Sequence, residues 1–429
     1  MNRPADKTPP KGAAPRPPSA AKAAVGEATH READEPTLAF KILSSGWLMS
    51  LGAMIIALVV GGILIAAADT DVQASVGYLF ARPGDFFSAV WTSVSSAYAA
   101  MFQGAVFDAG APTFARSIRP ITETLTVATP LIFAGLSVAI AFKSSLFNIG
   151  AQGQIIIGAA FAGWVGFTLD LPVGVHLVVA ILAGALGGAI WGGIPGLLRA
   201  KTGAHEVIVT IMMNYIAVYL LAFLLTTTAF QRPGRADPIS PQVSESAMYP
   251  LLLGGDFRLH AGFLLALVAC WVVWWILNRS TTGFEFRAVG FNPNAARTAG
   301  INVARSYVLV MVVAGALAGL AGTAQILGTE KALAGGIAAS FGFDAITVAL
   351  LGRSHPVGVL LSGILFGALR AGGVAMQSRT GTPIDIVLVV QSVIVLLIAA
   401  PPLVRALFRL PDPDKPRTSR SVVAKEAQA

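Results

Sequence analysis

Charge is what this sequence has least of. Only 12% of its 429 residues are Asp, Glu, Lys or Arg, against about 25% in an ordinary soluble domain. With 55% apolar residues and a mean hydropathy of +0.71, water is excluded as the main solvent. Lipid is the alternative, and there only helices or closed barrels satisfy every backbone group. Barrel strands alternate in polarity over roughly ten residues. The uninterrupted apolar runs at 48–68 and 261–277 do not alternate, so the expected class is all-α, a polytopic transmembrane helical bundle. Cysteine is nearly absent: Cys270 stands alone in an apolar run, which excludes an internal disulfide or a thiolate metal centre and reads as a buried thiol. The five histidines are scattered without HExxH spacing, so no metal site is expected. Also missing are a GxxxxGK[ST] phosphate loop, a GxSxG elbow and kinase signatures. The chain is therefore expected to lack catalytic residues and cofactors of its own, and to hydrolyse no ATP.

What is present is a succession of about ten apolar segments, near 42–68, 120–142, 153–169, 174–198, 206–228, 261–277, 306–327, 337–352, 356–371 and 384–404. A full crossing needs roughly 20 residues, so the shorter 153–169 and 337–352 read as broken or re-entrant. Residues 1–40 are rich in Pro, Ala, Lys and Glu and read as a disordered cytoplasmic tail, 406–429 as a second one, with the membrane domain over 41–405. The net charge of +8 lies in short loops and tails, which fits the positive-inside rule better than nucleic-acid binding. Placing the N-terminus inside puts Lys143, Arg199, Lys201, Arg279, Arg287, Arg297, Arg305, Arg353, Arg405 and Arg409 in the cytoplasm. It leaves Arg82, Arg116, Arg232 and Arg379 outside, so the bias is imperfect. Ten crossings would leave both termini cytoplasmic. The series 153–169, 174–198, 206–228 resembles 337–352, 356–371, 384–404, down to the small-residue runs at 184–188 and 363–367 and the acids Glu206 and Asp385 that open the last members. An offset of five crossings makes such copies opposite in orientation, the inverted-repeat plan of many transporters.

Two stretches carry most of the polar information. Residues 278–305 form a long basic loop, in which Asn292 fits an N-cap, Pro293 the first helical position, and Gly300 the stop. A short exposed helix there is either a handle for a soluble partner or an ordinary linker. Residues 143–158 hold Asn148, Gln152 and Gln154 among Gly150, Gly153 and Gly158. These amides either line a cavity for a neutral hydrogen-bonding solute or bond helix to helix. Thr210 and Asn214 share one helix face four residues apart. Gln325 ends one segment, and Gln391 with Ser392 sits in the last. Asp344 is a carboxylate inside a short apolar segment, either functional or capping a half-helix beside water.

The run 145–154, SLFNIGAQGQ, resembles the signature of bacterial ABC importer permeases of the simple-sugar and nucleoside type, the branched-chain amino acid permease-like family. So do 203–210, GAHEVIVT, with Met213, Asn214 and Tyr215; FRAVG at 286–290 with NPNAARTAGI at 292–301; and ALLGRSHP at 349–356. The ordered motifs span about 120–400, and FNIGAQGQ with GAHEV looks most like the nucleoside-uptake branch. The resemblance implies a permease in the bacterial inner membrane. It implies a second and different permease chain, a cytoplasmic ATP-binding subunit that consumes the ATP, and an extracytoplasmic solute-binding protein. The ATPase would dock on a coupling loop matched by Arg287, Gly290, Asn292, Pro293, Ala295, Ala296, Arg297 and Gly300. Asn148, Gln152, Gln154, Thr210, Asn214, Gln325 and Asp344 would contact the solute path. An importer for sugars or branched-chain amino acids shares this architecture. A gradient-driven secondary transporter and a membrane-embedded enzyme are the readings from other classes. The first would move solute without ATP, and the second lacks a catalytic constellation.

Overall fold

The computed structural model describes residues 46–400 and Leu403, so both expected tails lie outside the described residues. The described residues from 49 onward lie in one compact unit. Among the described residues the chain is helical apart from turns and an isolated bridge between Leu251 and His260.

Local chemistry sets most boundaries. Helix α1 (Gly46–Ala68) ends where Asp69 accepts the Asp71 and Val72 N–H groups and opens α2 (Thr70–Val76). Pro83 opens α3 (Pro83–Ala105), and Thr113 caps α4 (Phe114–Lys143). Then come α5 (Ala151–Thr168), α6 (Val175–Thr202) and α7 (Glu206–Leu224). After a long loop come α8 (Gly262–Arg279), α9 (Thr281–Phe291) and α10 (Pro293–Thr298). Helix α11 (Val303–Ala324) widens into a π-turn over Gln325–Glu330. It is followed by α12 (Phe341–Leu351), α13 (Pro356–Thr380) and α14 (Asp385–Ala399). Seven of these helices, one extended through the π-turn, are long and apolar enough to cross a bilayer, and α12 and α14 are shorter apolar helices.

Helices α4 to α7 and α11 to α14 follow the same order, with a re-entrant loop before the second helix of each, as the expected repeat requires. Gly203 and Gly381, at φ +71° and +72°, end the third helix of each copy, and Glu206 and Asp385 open the fourth. The copies exchange partners: α4 packs on α13 as α11 packs on α6, and α12 packs on α4 as α5 packs on α11. Glycines make these approaches possible. A Cβ at Gly188 or Gly319 would run into the backbone of the facing helix at the α6–α11 crossing, and one at Gly158 would strike Gly319. Small residues that let backbones touch are how helices associate in lipid, where no hydrophobic drive exists between them.

One long helix is not among the ten expected segments. Helix α3 has 23 residues but alternates polar and apolar side chains in Ser93, Ser95, Ser96 and Gln103, which hid it from a hydropathy reading. It lies against α13, where Gly104 meets Ala375 and Gly372 meets Met101. Both ends of the α1-to-α4 connection reach the C-terminal end of α13: Ala68 and Asp69 share a small cavity with Thr380–Pro383, and Asp108 pairs with Arg379 at 2.6 Å. The connection thus starts and finishes on one face, and α3 adds no crossing. Helix α4 begins six residues before the expected 120, carrying Pro120 and Pro130 inside it, and α13 runs nine residues past the expected 371.

Candidate functional site: two half-helices meeting at mid-depth

After α4 the chain does not leave the bundle. Ser145 turns it at φ +52°, and the loop re-enters so that Asn148 reaches Ser137, six residues inside α4. At about 1.5 Å per residue, α5 therefore starts roughly 9 Å below the end of its neighbour. The loop after α11 does the same from the other face, with left-handed turns at Lys331 and Ala339. The two half-helices meet N-terminus to N-terminus. Gln152 joins them: its Nε2 donates to Ala339 O at 2.6 Å and its Oε1 accepts from Gly342 N–H at 2.9 Å. A Cβ at Gly342 would collide with the Gln152 backbone. Helix N-termini carry a positive end of the backbone dipole, so this contact brings two of them together inside the bundle, as in the broken-helix arrangement of transporter sites.

The other predicted amides are buried and engaged within the protein. Asn148 and Gln154 exchange bonds, Nδ2 to Oε1 at 2.9 Å and Nε2 to Oδ1 at 3.1 Å, and Asn148 Oδ1 also accepts Gly150 N–H. Asn214 accepts Gly153 N–H at 2.8 Å and donates to Ile149 O at 2.9 Å. Thr210 bonds within its own helix to Val207 O, and packs on Gly150. Asn148, Gln154 and Asn214 thus hold the re-entrant loop in place, the helix-to-helix alternative of the sequence reading. Gln325, in the π-turn, accepts a bond from Thr329 and lies away from the half-helix contact. Asp344, in the first turn of α12, pairs with Arg370 at 3.4 Å and accepts Ser340 Oγ at 3.0 Å. Arg370 also bonds Ser340 and stacks over the Phe341 ring at 4.5 Å. Composition does not flag Arg370, because its partner stands 26 residues away on another helix.

The predicted loop helix forms as α10. Asn292 accepts Asn294 and Ala295 N–H groups at 3.0 and 3.1 Å, Pro293 is its first residue, and Gly300 stops it at φ +86°. Ala296 points inward with Val289 and Val303, while Arg287 and Arg297 are exposed. Gly290 lets α9 rest on the end of α4: a Cβ there would lie 2.5 Å from Lys143 O, and Ser145 Oγ donates to Gly290 O at 2.7 Å. The α9–α10 elbow is thereby fastened to the loop that carries the half-helix. At its tip Phe291 is 95% exposed.

Charge separates the two faces. On the α9–α10 face Lys143, Arg279, Arg287, Arg297 and Arg305 have no carboxylate partner among the described residues, whereas Arg199 pairs with buried Glu206 at 2.9 Å. On the opposite face a cavity of about 690 Å³ is lined by Arg116, Arg119, Arg258, Arg370 and Arg379. Most of these are neutralised: Glu123 serves Arg119 and Arg258, and Asp108 serves Arg379. Asp108 lies outside the spanning helices, and its bond from Arg379 holds its carboxyl below the usual range. Of the four arginines that blur the charge bias in the sequence, Arg379 and Arg82 have carboxylate partners, while Arg116 and Arg232 have none among the described residues.

A helical bundle with paired re-entrant half-helices, inverted repeats and a polar elbow on one face is a multi-pass membrane permease. The chain belongs to the family described as branched-chain amino acid transport system / permease component, which matches it over residues 121–399. It is 40% identical to the guanosine ABC transporter permease protein NupP of Bacillus subtilis, over 72% of this chain and 86% of that one. It is 37% identical to the nucleoside ABC transporter permease protein NupB of Lactococcus lactis subsp. cremoris, over 66% and 80%. It is 36% identical to the glucose ABC transporter permease protein TsgB13 of Haloferax volcanii, over 65% and 75%. No solved structure matches the chain.

Proposed function

We propose that this chain is one wall of an ATP-driven importer for nucleosides. The observation that carries the reading is the mechanical continuity from the exposed α9–α10 elbow, through Gly290 and Ser145, to the half-helix contact at Gln152. A cytoplasmic ATPase gripping the elbow around Arg287, Asn292 and Arg297 pushes on α4 and the re-entrant loop together. Because the tight glycine crossings fasten α5 and α6 to α11, and α4 to α13, the bodies that rock are these interleaved groups rather than the sequence repeats, and access alternates between the two faces. ATP is consumed by that partner. A second permease chain completes the path, and a solute-binding protein delivers to the opposite face. We read the α9–α10 face as cytoplasmic, since unpaired basic charge collects there, with both termini on the cytoplasmic side of the bacterial inner membrane.

Nucleosides are the preferred cargo because two of the relatives above are named for guanosine or nucleoside transport. The glucose-named relative supports a second reading, a sugar, with which a nucleoside shares neighbouring hydroxyls. Uptake of labelled guanosine and labelled glucose by proteoliposomes holding the full assembly separates them. ATP-dependent guanosine entry is expected, and glucose entry alone would transfer the assignment to sugars.

A further inference from the structure

Gln391, on α14, is 4% exposed, and among the described residues its Nε2 donates to nothing. Burying an amide N–H without a partner costs about 1–3 kcal/mol, so such a group calls for an explanation. It borders an open groove of about 450 Å³ between α12, α13 and α14, together with Asp344, Thr347 and Ser392. The volume falls in the range of small-molecule sites. Asp344 binds Arg370 and Ser340 through Oδ2, which leaves Oδ1 as an acceptor. Phe366, Leu388, Val395 and Leu396 complete the lining, so a carboxylate, two hydroxyls and an unspent amide sit on one side of an otherwise apolar groove, where polar groups are costly without a partner. The related helix in the first repeat behaves differently: α7 exposes Ile208, Met212, Ile216 and Phe223, a surface suited to lipid. Helix α14 also exposes Leu388, Val389 and Leu396, but unlike α7 it sets Gln391 and Ser392 among them at the groove.

We propose that this groove is a half-site for the transported solute, a neutral molecule that offers an acceptor edge to Gln391 Nε2 and a hydroxyl to Asp344 Oδ1. The hydroxyls of Thr347 and Ser392 flank it. This pattern suits a nucleoside, with a carbonyl or ring nitrogen on the base and neighbouring hydroxyls on the sugar. The inference rests on the permease reading above and assigns its specificity to named atoms.

The native chain has one cysteine, Cys270, buried in α8, so a Cys270→Ala background reports single introduced thiols. In the assembled transporter, Ser392→Cys should react with a charged, membrane-impermeant methanethiosulfonate. Saturating guanosine should slow the reaction at least fivefold, and Ile216→Cys on the lipid face of α7 should stay unreactive. Gln391→Leu should lower guanosine uptake tenfold or more while the melting temperature in detergent stays level or rises, because no internal bond is lost. Unreactive Ser392→Cys, reactivity indifferent to guanosine, or wild-type uptake by Gln391→Leu would overturn the half-site even if the wild-type assembly transports. A fall in melting temperature accompanying lost uptake would also overturn it, making Gln391 a packing residue. A wild-type assembly that imports neither guanosine nor glucose would instead sink the permease-cargo reading on which the half-site rests.

Discussion

Gln152 does with one side chain what usually needs an interface: it is donor and acceptor at once to the backbone that opens the opposing half-helix. Gln152→Leu keeps the volume and strands Ala339 O and Gly342 N–H, at about 1–3 kcal/mol per group. The variant should melt several degrees below wild type in detergent, and an unchanged melting temperature would show that the clamp is idle. His260 offers a test by pH. It lies outside the spanning helices, stacked on Tyr249 at 5.3 Å, with Nδ1 accepting Gly262 N–H and Nε2 against Gly328. Burial, aided by Arg258, pushes its pKa down to about 4. Between that value and the ordinary 6.5 the unfolded chain binds the proton and the folded chain does not, so stability rises with pH across the window and is lost as pH falls through it. The loss can reach about 3 kcal/mol. Thermal melts at pH 7 and 5 should differ for wild type, and His260→Phe should narrow the gap.

At the scale of elements, glycine spacing and the α9–α10 elbow decide the behaviour. Gly188→Val puts two methyl groups where α6 and α11 backbones touch and should prevent recovery of a monodisperse transporter. By contrast Ala183→Val, at a part-buried position on the same helix, should be tolerated. Phe291→Asp changes only an exposed tip. It should abolish solute-stimulated ATPase activity in the assembly while insertion and melting stay as in wild type; full stimulation would remove the elbow from the coupling path. Much of this level was legible in the text. Asn292, Pro293 and Gly300 specify α10 by local rules alone, and the acids at 206 and 385 announced the repeat. What was not legible depended on distance in sequence. Helix α3 carries serines that suppress its hydropathy and is held by glycine contacts 271 residues away, Gly104 to Ala375 and Met101 to Gly372. The roles of Asn148, Gln154 and Asn214 were open in the sequence because cavity-lining and loop-pinning amides have the same composition, and only their bonding distinguishes them.

For the whole molecule, the two repeats interleave, each packing its first helix on helices of the other, while the faces differ in unpaired charge. That asymmetry is what the positive-inside rule would read as a cytoplasmic α9–α10 face. In the proposed mechanism this chain forms the passage, and a soluble ATPase on the α9–α10 face supplies the power stroke. The direct measurement is guanosine accumulation in proteoliposomes, comparing this chain alone with the chain joined by its second permease, ATPase and solute-binding protein. Accumulation only in the complete set, and only with hydrolysable ATP, is the predicted result. Uphill uptake by the chain alone under an ion gradient, with no nucleotide, would contradict it.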